Sequence, residues 1–170
     1  MPIIGIDPGL DGAIAVIYDS GFSVVYPMPI VTIGDIKKGK NCREIDTKAL
    51  YSIIKRVTFT YRKDTKIVIE KVGARSGQCS VSMLNFGKGY GMIRAVAELL
   101  CSKVIWVHPA SWKSSLFGKG KHDKEDSIAL AKKLYPKSNL RKTERCTTDD
   151  DNMAEALLIA EYGKRTLGGK

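Results

Sequence analysis

The stretch that most constrains the fold is IIGIDPGLDGAIAVIYD, residues 3–19. Two apolar runs flank a short turn that contains Pro-Gly and Asp-Gly, a pattern typical of two paired strands. The first run ends on a carboxylate, Asp7, directly before the turn. Asp7 is therefore either an ordinary turn residue or a charged group that a rigid strand holds in place.

The remaining patterns predict a mixed α/β sheet with helices packed on its faces. A third strand follows so closely that the first three strands form an antiparallel meander. The predicted strands are 2–7, 12–18, 22–29, 66–70 and 103–109, and the predicted helices are about 46–60, 80–101, 109–118, 124–135 and 152–165. Asp46 and Ser80 are the expected N-caps of the first two helices. We expect residues 30–45 to form a loop with a basic tip and residues 1–170 to form one domain.

The charge balance indicates a polyanionic partner. Lys and Arg total 28 against 18 Asp and Glu, which gives a net charge of +10 and a pI near 9.5. A surface this basic favours nucleic acid. No apolar run approaches the ~20 residues that span a bilayer, and no signal-peptide pattern opens the chain. We therefore expect a cytoplasmic protein that does not bind membranes.

Cysteine and histidine do not indicate a zinc site. The four cysteines lie far apart and form no C-x-x-C pair. Without a secretion signal they are expected to be free thiols. His108 and His122 are too few for a histidine-based metal site.

Two carboxylates occupy equivalent places in the pattern, because Asp7 and Glu70 each end an apolar strand. In open α/β sheets, functional sites collect at the carboxyl ends of the strands. If the two strands are neighbours, their carboxylates lie side by side and repel each other. A divalent cation such as Mg²⁺ or Mn²⁺ removes this repulsion and prefers oxygen ligands.

A third acidic group, Asp149–Asp151, precedes the last helix. One aspartate suffices as an N-cap, whereas three adjacent ones repel each other. Glu155 lies four residues after Asp151 and projects from the same helical face. The pattern therefore predicts a cage of four acids: Asp7, Glu70, Asp151 and Glu155.

Four segments in this order resemble the RuvC-type Holliday junction resolvases of the ribonuclease H-like superfamily. They are IIGIDPGLDGAIAVI, IVIEKVGARSGQCSVSMLNFGKGYGMI, HPASWKSSLFGKGKHDKEDSIALAKKLYP and DDDNMAEALLIAEYG. The last two are similar to the phage-encoded branch in particular. GIDPG alone also occurs in sugar kinases and actin-like ATPases, but those folds need two such domains.

The resemblance implies a ribonuclease H-like, mixed five-stranded sheet and a two-Mg²⁺ endonuclease that resolves four-way junctions. Asp7, Glu70 and one or two acids of the final helix would be the catalytic metal ligands. Bacterial members often carry the last two acids three residues apart, which here pairs Glu155 with Asn152, a poor ligand. Asp151 is preferred for this reason, and Asp150 remains an alternative.

The same resemblance implies a homodimer that binds branched DNA, matching the two-fold symmetry of a four-way junction. The predicted phosphate-binding residues are Arg75, Lys88, Lys113, Lys119, Lys121 and Lys124. Phe86 and Met83 are either core residues or an apolar wedge at the crossover. Three helical glycines, Gly87, Gly89 and Gly91, indicate close approach by another backbone.

Two other functions fit the same sequence. The first is a nuclease that cuts branched DNA or RNA more broadly on the same fold. The second is a non-catalytic DNA-binding protein that uses only its basic surface. An actin-like nucleotide-binding module is the weakest alternative, because GKGYG is not a dinucleotide-binding fingerprint.

Overall fold

A computed structural model of the chain describes residues 1–35, 40–61, 64–73, 77 and 79–167. The strands in these ranges are β1 (Ile3–Asp7), β2 (Ala13–Ile17), β3 (Ser23–Pro27), β4 (Ile30–Asp35), β5 (Lys40–Ile45), β6 (Lys66–Glu70) and β7 (Val104–Val107). The helices are α1 (Thr47–Tyr61), α2 (Ser80–Leu100), α3 (Pro109–Phe117), α4 (Lys124–Leu134) and α5 (Asp151–Leu167). None of these helices combines the length and apolar character that a membrane crossing requires.

Five of the strands form one mixed sheet in the order β3-β2-β1-β6-β7. The first three strands pair antiparallel, whereas β6 runs parallel to both β1 and β7. This arrangement confirms the predicted meander and the predicted five-stranded mixed sheet.

Alternation along the strands divides the core into two layers, one on each face of the sheet. Ile3 of β1 packs with α5, whereas Ile4 and Ile6 pack with α1 and α2. The two layers arise because successive side chains of a strand point to opposite faces. Helices on both faces were predicted, and both layers are fully buried at their centres.

Glycine allows α5 to lie directly on β1. A methyl group at Gly5 would collide with the backbone of Ala156 and Ala160. One turn later, a methyl group at Gly163 would lie 2.6 Å from Val68 Cγ2 and 2.9 Å from Ile3 Cγ2. The depth at which α5 lies on the sheet therefore depends on these two glycines.

The prediction of a loop at residues 30–45 was wrong. The strands β4 and β5 pair antiparallel from Ile30 opposite Ile45 to Asp35 opposite Lys40. The β-branched run at 30–33 has strand propensity. However, Ile30, Val31 and Ile33 are all about two-fifths exposed, so buried and exposed side chains do not alternate along this strand. The basic tip, residues 36–39, lies outside the described residues.

All observed helix boundaries lie within two residues of the predicted ones, but the N-cap of α2 differs. Asp46 caps α1 as predicted, because its Oδ1 accepts a hydrogen bond of 3.0 Å from the Ala49 backbone N–H. The cap of α2 is Cys79 rather than Ser80, and it forms no side-chain capping bond. Leu84 and Leu99 of this helix are 73% and 84% exposed.

Candidate active site

The two strand-end acids lie on neighbouring strands. β1 and β6 are parallel, and their register pairs Ile6 with Ile69. Asp7 follows Ile6 and Glu70 follows Ile69, and each is the last residue of its strand. The two acids therefore lie side by side at the carboxyl edge of the sheet. The predicted adjacency of the two strands is confirmed.

The turn after Asp7 is tightly folded. The backbone N–H of Gly12 donates to the carbonyl oxygen of Gly9 at 3.2 Å. A side chain at Gly12 would collide with the carbonyl oxygen of Asp7, and Gly9 adopts a φ of 147°. The glycines of the turn therefore keep its backbone close to Asp7 and leave little side-chain bulk beside the carboxylate.

The last helix brings two further acids to this edge. Asp151 is the first residue of α5, and Glu155 lies one turn later. The helix α5 packs on β1 and β2 and runs in the opposite direction to β1. Its first turn therefore lies beside the carboxyl end of β1. The fold thus gathers the four acids from three separate parts of the sequence.

Electrostatics identify Asp7 as the centre of this group. The pKa of Asp7 is raised from 3.8 to about 8, chiefly by burial and then by the nearby charges of Glu70 and Glu155. The ammonium of Lys113 lowers this pKa, whereas Asp151 raises it. Such mutual repulsion requires that the carboxylates share one poorly solvated neighbourhood.

Two lysines lie among these acids. Lys113 of α3 places its Nζ 2.7 Å from Oε1 of Glu155. Lys124, the first residue of α4, places its Nζ 2.7 Å from Oδ2 of Asp151, and this hydrogen bond raises the pKa of the lysine. Both lysines were predicted to bind DNA phosphates, and the structure places both beside the candidate ligands.

The three aspartates at the start of the last helix have different environments. Asp149 forms an ion pair with Lys132. Asp150 caps the helix, because its Oδ1 accepts a 3.1 Å hydrogen bond from the Met153 backbone N–H, and its other oxygen pairs with Lys142 at 3.0 Å. Of the three, Asp151 is the one whose charge acts on Asp7. This geometry favours Asp151 over Asp150, the alternative that the sequence left open.

Trp112 is a site residue that the sequence reasoning missed. It is completely buried, and its indole Nε1–H donates a 2.7 Å hydrogen bond to Oε2 of Glu70. The Lys113 ammonium lies 5.0 Å from the centre of the same ring. The sequence does show a tryptophan beside a lysine at the start of a short helix. This pattern does not predict which group accepts the hydrogen bond of the indole.

The donor chemistry fits a hard divalent cation, because all four acids offer oxygen ligands. Within the ranges that the structure describes, no three Asp, Glu, His or Cys side chains are already gathered as a closed ligand set. The four carboxylates form an electrostatic cluster in which hydrogen bonds and lysines hold three of the members.

The other predicted DNA-binding residues are Arg75, Lys88, Lys119 and Lys121. Lys119 and Lys121 are exposed on the loop between α3 and α4. Lys88 pairs with Glu44 of β5 and so connects α2 to the hairpin. Arg75 lies outside the described residues.

Two solved RuvC structures have this fold. The structure of Thermus thermophilus RuvC is 17% identical, with 98% of this chain and 96% of that chain covered and a TM-score of 0.53. T. thermophilus RuvC in complex with a Holliday junction substrate is 18% identical, with 95% and 92% covered and a TM-score of 0.61. The yeast mitochondrial Holliday junction resolvase Ydc2 is 16% identical, with 96% and 77% covered and a TM-score of 0.48.

The RuvC matches establish the fold over almost the whole chain. This chain has the ribonuclease H-like fold of RuvC, as the sequence resemblance implied. No protein-family model matches the sequence, and no curated protein is significantly similar to it.

Proposed function

We propose that this protein is a metal-dependent endonuclease that resolves four-way DNA junctions. The observation that carries the proposal is the convergence of four acids on the sheet edge of a RuvC fold, centred on Asp7. RuvC of T. thermophilus, which has the same fold, is known in complex with a Holliday junction substrate. The basic net charge of +10 supports a nucleic-acid substrate.

The proposed metal ligands and catalytic residues are Asp7, Glu70, Asp151 and Glu155. The site would hold two Mg²⁺ ions, with Mn²⁺ as a substitute, because the donors are carboxylate oxygens. When bound, such ions activate water and stabilise the leaving oxygen of a phosphodiester. The buried position and raised pKa of Asp7 support a site that needs a cation to hold its negative charge.

The remaining residues of the site would position charge around the substrate. Trp112 fixes one oxygen of Glu70 and so limits the orientations of that carboxylate. Lys113 and Lys124 supply positive charge beside the acids, where a phosphate would otherwise meet only carboxylates. These lysines are therefore proposed to bind the phosphate nearest the cut.

Binding to the arms of the junction is assigned to the basic surface. Lys119 and Lys121 would contact phosphates from their exposed loop, and Arg75 and Lys88 remain predicted contacts. A homodimer would place two sites about a two-fold axis, which suits paired, symmetric nicks. We further propose that the protein belongs to the phage-like branch and acts in the cytoplasm, that of the host cell if it is phage-encoded.

The test is cleavage of a four-way junction, a Y-fork and a linear duplex in Mg²⁺. The proposal expects preferred cutting of the junction and loss of cutting, but not of binding, in Asp7→Asn. Asp149→Asn is the matched control, because Asp149 pairs with Lys132 outside the cluster. Equal cutting of all three substrates would favour a broader debranching nuclease, and binding without cutting by the wild type would favour a non-catalytic DNA-binding protein.

A further inference from the structure

Two clefts flank the turn between β2 and β3, and Phe22 of that turn lines both of them. The cleft on the α1 side has a volume of about 410 Å³, and its lining includes Tyr18, Arg56 and Tyr61. The cleft on the α4 side has a volume of about 290 Å³, and its lining includes Lys137. Volumes of about 300–1,000 Å³ are typical of ligand sites, so the first cleft is large enough to hold a side chain of a partner.

The turn lies at the edge of the sheet opposite the candidate active site. Ile17, the last residue of β2, pairs with Ile3 at the start of β1, whereas Asp7 pairs with Ala13. Ile3 and Asp7 are four residues apart, which corresponds to about 13 Å along a strand. A DNA strand held by the four acids would therefore leave this surface open to a different partner.

Aromatic rings form the exposed part of the surface. Phe22 is 60% exposed and stacks on Tyr18, with 5.9 Å between the ring centroids. Tyr61, the last residue of α1, is 39% exposed, and its ring centroid also lies 5.9 Å from that of Tyr18. Tyrosine, phenylalanine and arginine are enriched in the interfaces that proteins form with one another. Three adjoining rings beside Arg56 therefore match the composition of a protein-binding surface.

Both clefts carry positive charge. Arg56 lies in one and Lys137 in the other, and none of the described residues that line the clefts is acidic. The Nη2 group of Arg56 donates a hydrogen bond to Tyr26 Oη, which leaves other guanidinium N–H groups for a carboxylate. Asp19 belongs to the same turn but pairs with the amino group of Met1. A carboxylate of a partner would therefore meet positive charge on either side of the turn.

The carbonyl ends of two helices oppose this attraction only in part. The helix α1 ends at Tyr61 and α4 ends at Leu134, so both end beside the clefts. A helix end carries about half a negative charge, which is less than the full charge of Arg56 or Lys137. The balance of charge at the surface still favours an acidic partner.

We infer that this surface binds an acidic peptide segment of a partner protein, with an aromatic side chain of that segment seated in the cleft beside α1. Phe22 and Tyr61 contact the aromatic side chain, and Arg56 and Lys137 pair with carboxylates on either side of it. The inference goes beyond the proposed function, because the surface lies away from the four acids. A partner bound here would not compete with DNA at those acids.

Two other occupants fit the surface less well. Single-stranded nucleic acid needs a series of cations along its backbone, whereas the described lining supplies one cation in each cleft. A second copy of this chain, placed about a two-fold axis, would bring the like charges of the two surfaces together. The charge and the exposed rings together favour the acidic peptide.

The test uses an array of short synthetic peptides in which the numbers of aspartates and phenylalanines vary independently. Labelled protein should bind only peptides that contain both, and most strongly those with a phenylalanine between aspartates. For the tightest peptide, fluorescence anisotropy should show at least about a tenfold loss of affinity in Phe22→Ala and in Arg56→Gln. Phe59→Ala and Lys55→Gln are the matched controls and should bind normally, because both residues are exposed on α1 and line neither cleft.

Several results would overturn the inference. They are the absence of binding by any peptide of the array, undiminished binding when asparagine replaces aspartate, and equal affinities of all four variants. Weaker binding of oligothymidylate by Phe22→Ala, with no effect on peptides, would assign the surface to nucleic acid. A lower sedimentation coefficient of this variant would assign it to self-association.

The same variants separate this inference from the proposed function. Phe22 and Arg56 are exposed and distant from the four acids, so their variants should cut junctions as well as the wild type does. Peptide binding does not depend on cutting and is measured without DNA. Failure to cut junctions would therefore leave the peptide result unchanged.

Discussion

Trp112 is buried and donates its indole N–H to Glu70, one of the proposed metal ligands. Residues that orient metal ligands in this way typically affect metal affinity by about 10- to 100-fold. We therefore expect Trp112→Phe, which keeps an aromatic ring but removes the donor, to weaken Mg²⁺ binding at least about tenfold. Isothermal titration of Mg²⁺ into the protein without DNA measures this effect.

The chain provides its own optical control for this prediction. Trp106 is the other tryptophan of the sequence, and its ring is tilted by 59° against that of Tyr90, with 5.5 Å between the centroids. In Trp106→Phe the remaining indole should change its emission when Mg²⁺ is added, with unaltered affinity. A flat fluorescence titration together with normal calorimetric binding would contradict a role for Trp112 in orienting Glu70.

Asp7 should make the metal-free protein less stable as the pH rises. Its folded pKa of about 8 lies above its ordinary value of 3.8, so the native state binds more protons than the unfolded state between these values. Stability falls with pH wherever the native state binds more protons. The contribution of Asp7 is thus most favourable below pH 4 and is lost as the pH rises through 8.

Asp7→Asn should remove this loss of stability at high pH, and it should also abolish cutting. In EDTA at pH 8 we expect the variant to melt higher than the wild type by at least ~2–4 °C, which corresponds to about 1 kcal/mol in a chain of this size. At pH 4 the two proteins should melt at similar temperatures. Thermal unfolding at both pH values tests this expectation, and a variant less stable than the wild type at pH 8 would refute it.

The choice among the three aspartates illustrates what sequence spacing can and cannot predict at the scale of residues. Spacing places Asp151 and Glu155 on one helical face, and the structure agrees. Spacing alone cannot identify Asp150 as the N-cap, because the cap depends on which residue begins the helix. It also cannot predict the ion pair of Asp150 with Lys142, eight residues earlier.

At the scale of elements, the position of α5 decides whether the acids meet. Gly5 lets the helix backbone lie against β1, and a side chain there would collide with Ala156 and Ala160. We expect Gly5→Ala to lower the free energy of unfolding by about 1–3 kcal/mol or more, because overpacking forces the backbone apart. Denaturant unfolding measures this loss.

Displacement of α5 should also affect the proposed metal site. Gly5→Ala should weaken Mg²⁺ binding, because Asp151 and Glu155 would move away from Asp7. Gly73→Ala is the control, since an added methyl group there meets no atom of the described structure within 4 Å and the φ is not in the left-handed region. Equal stability and metal affinity of the two variants would contradict the argument.

The sheet and most helix ends were predictable because apolar alternation and capping residues are local signals. The β4–β5 hairpin was not predictable in this way, since its exposed Ile30, Val31 and Ile33 lack a buried face. The contact of Ile45 with Gly89 was also missed, because it joins two elements that are distant in sequence. Consequently the packing of this hairpin against α2 was not expected.

At the scale of the whole molecule, we propose the exposed apolar side of α2 as the surface of the predicted homodimer. Val81, Leu84 and Leu99 are 64%, 73% and 84% exposed on one side of the helix. Gly91 shares this side, and a methyl group there meets no described atom within 4 Å. An exposed apolar stripe with a glycine suits the close approach of a second copy.

Two glycines of α2 have different surroundings. One lies against the β4–β5 hairpin of the same chain, and the other lies on the exposed side of the helix. Gly89 was predicted to permit approach by another backbone, but its Cβ position lies 3.3 Å from Ile45 of the same chain. Gly89→Leu should therefore loosen the hairpin and lower stability by about 1–3 kcal/mol. Leu84→Glu and Gly91→Leu should instead weaken the dimer while the monomer stays folded. Sedimentation velocity over a range of concentrations distinguishes these outcomes, and a wild type that sediments as a monomer throughout would rule out the dimer.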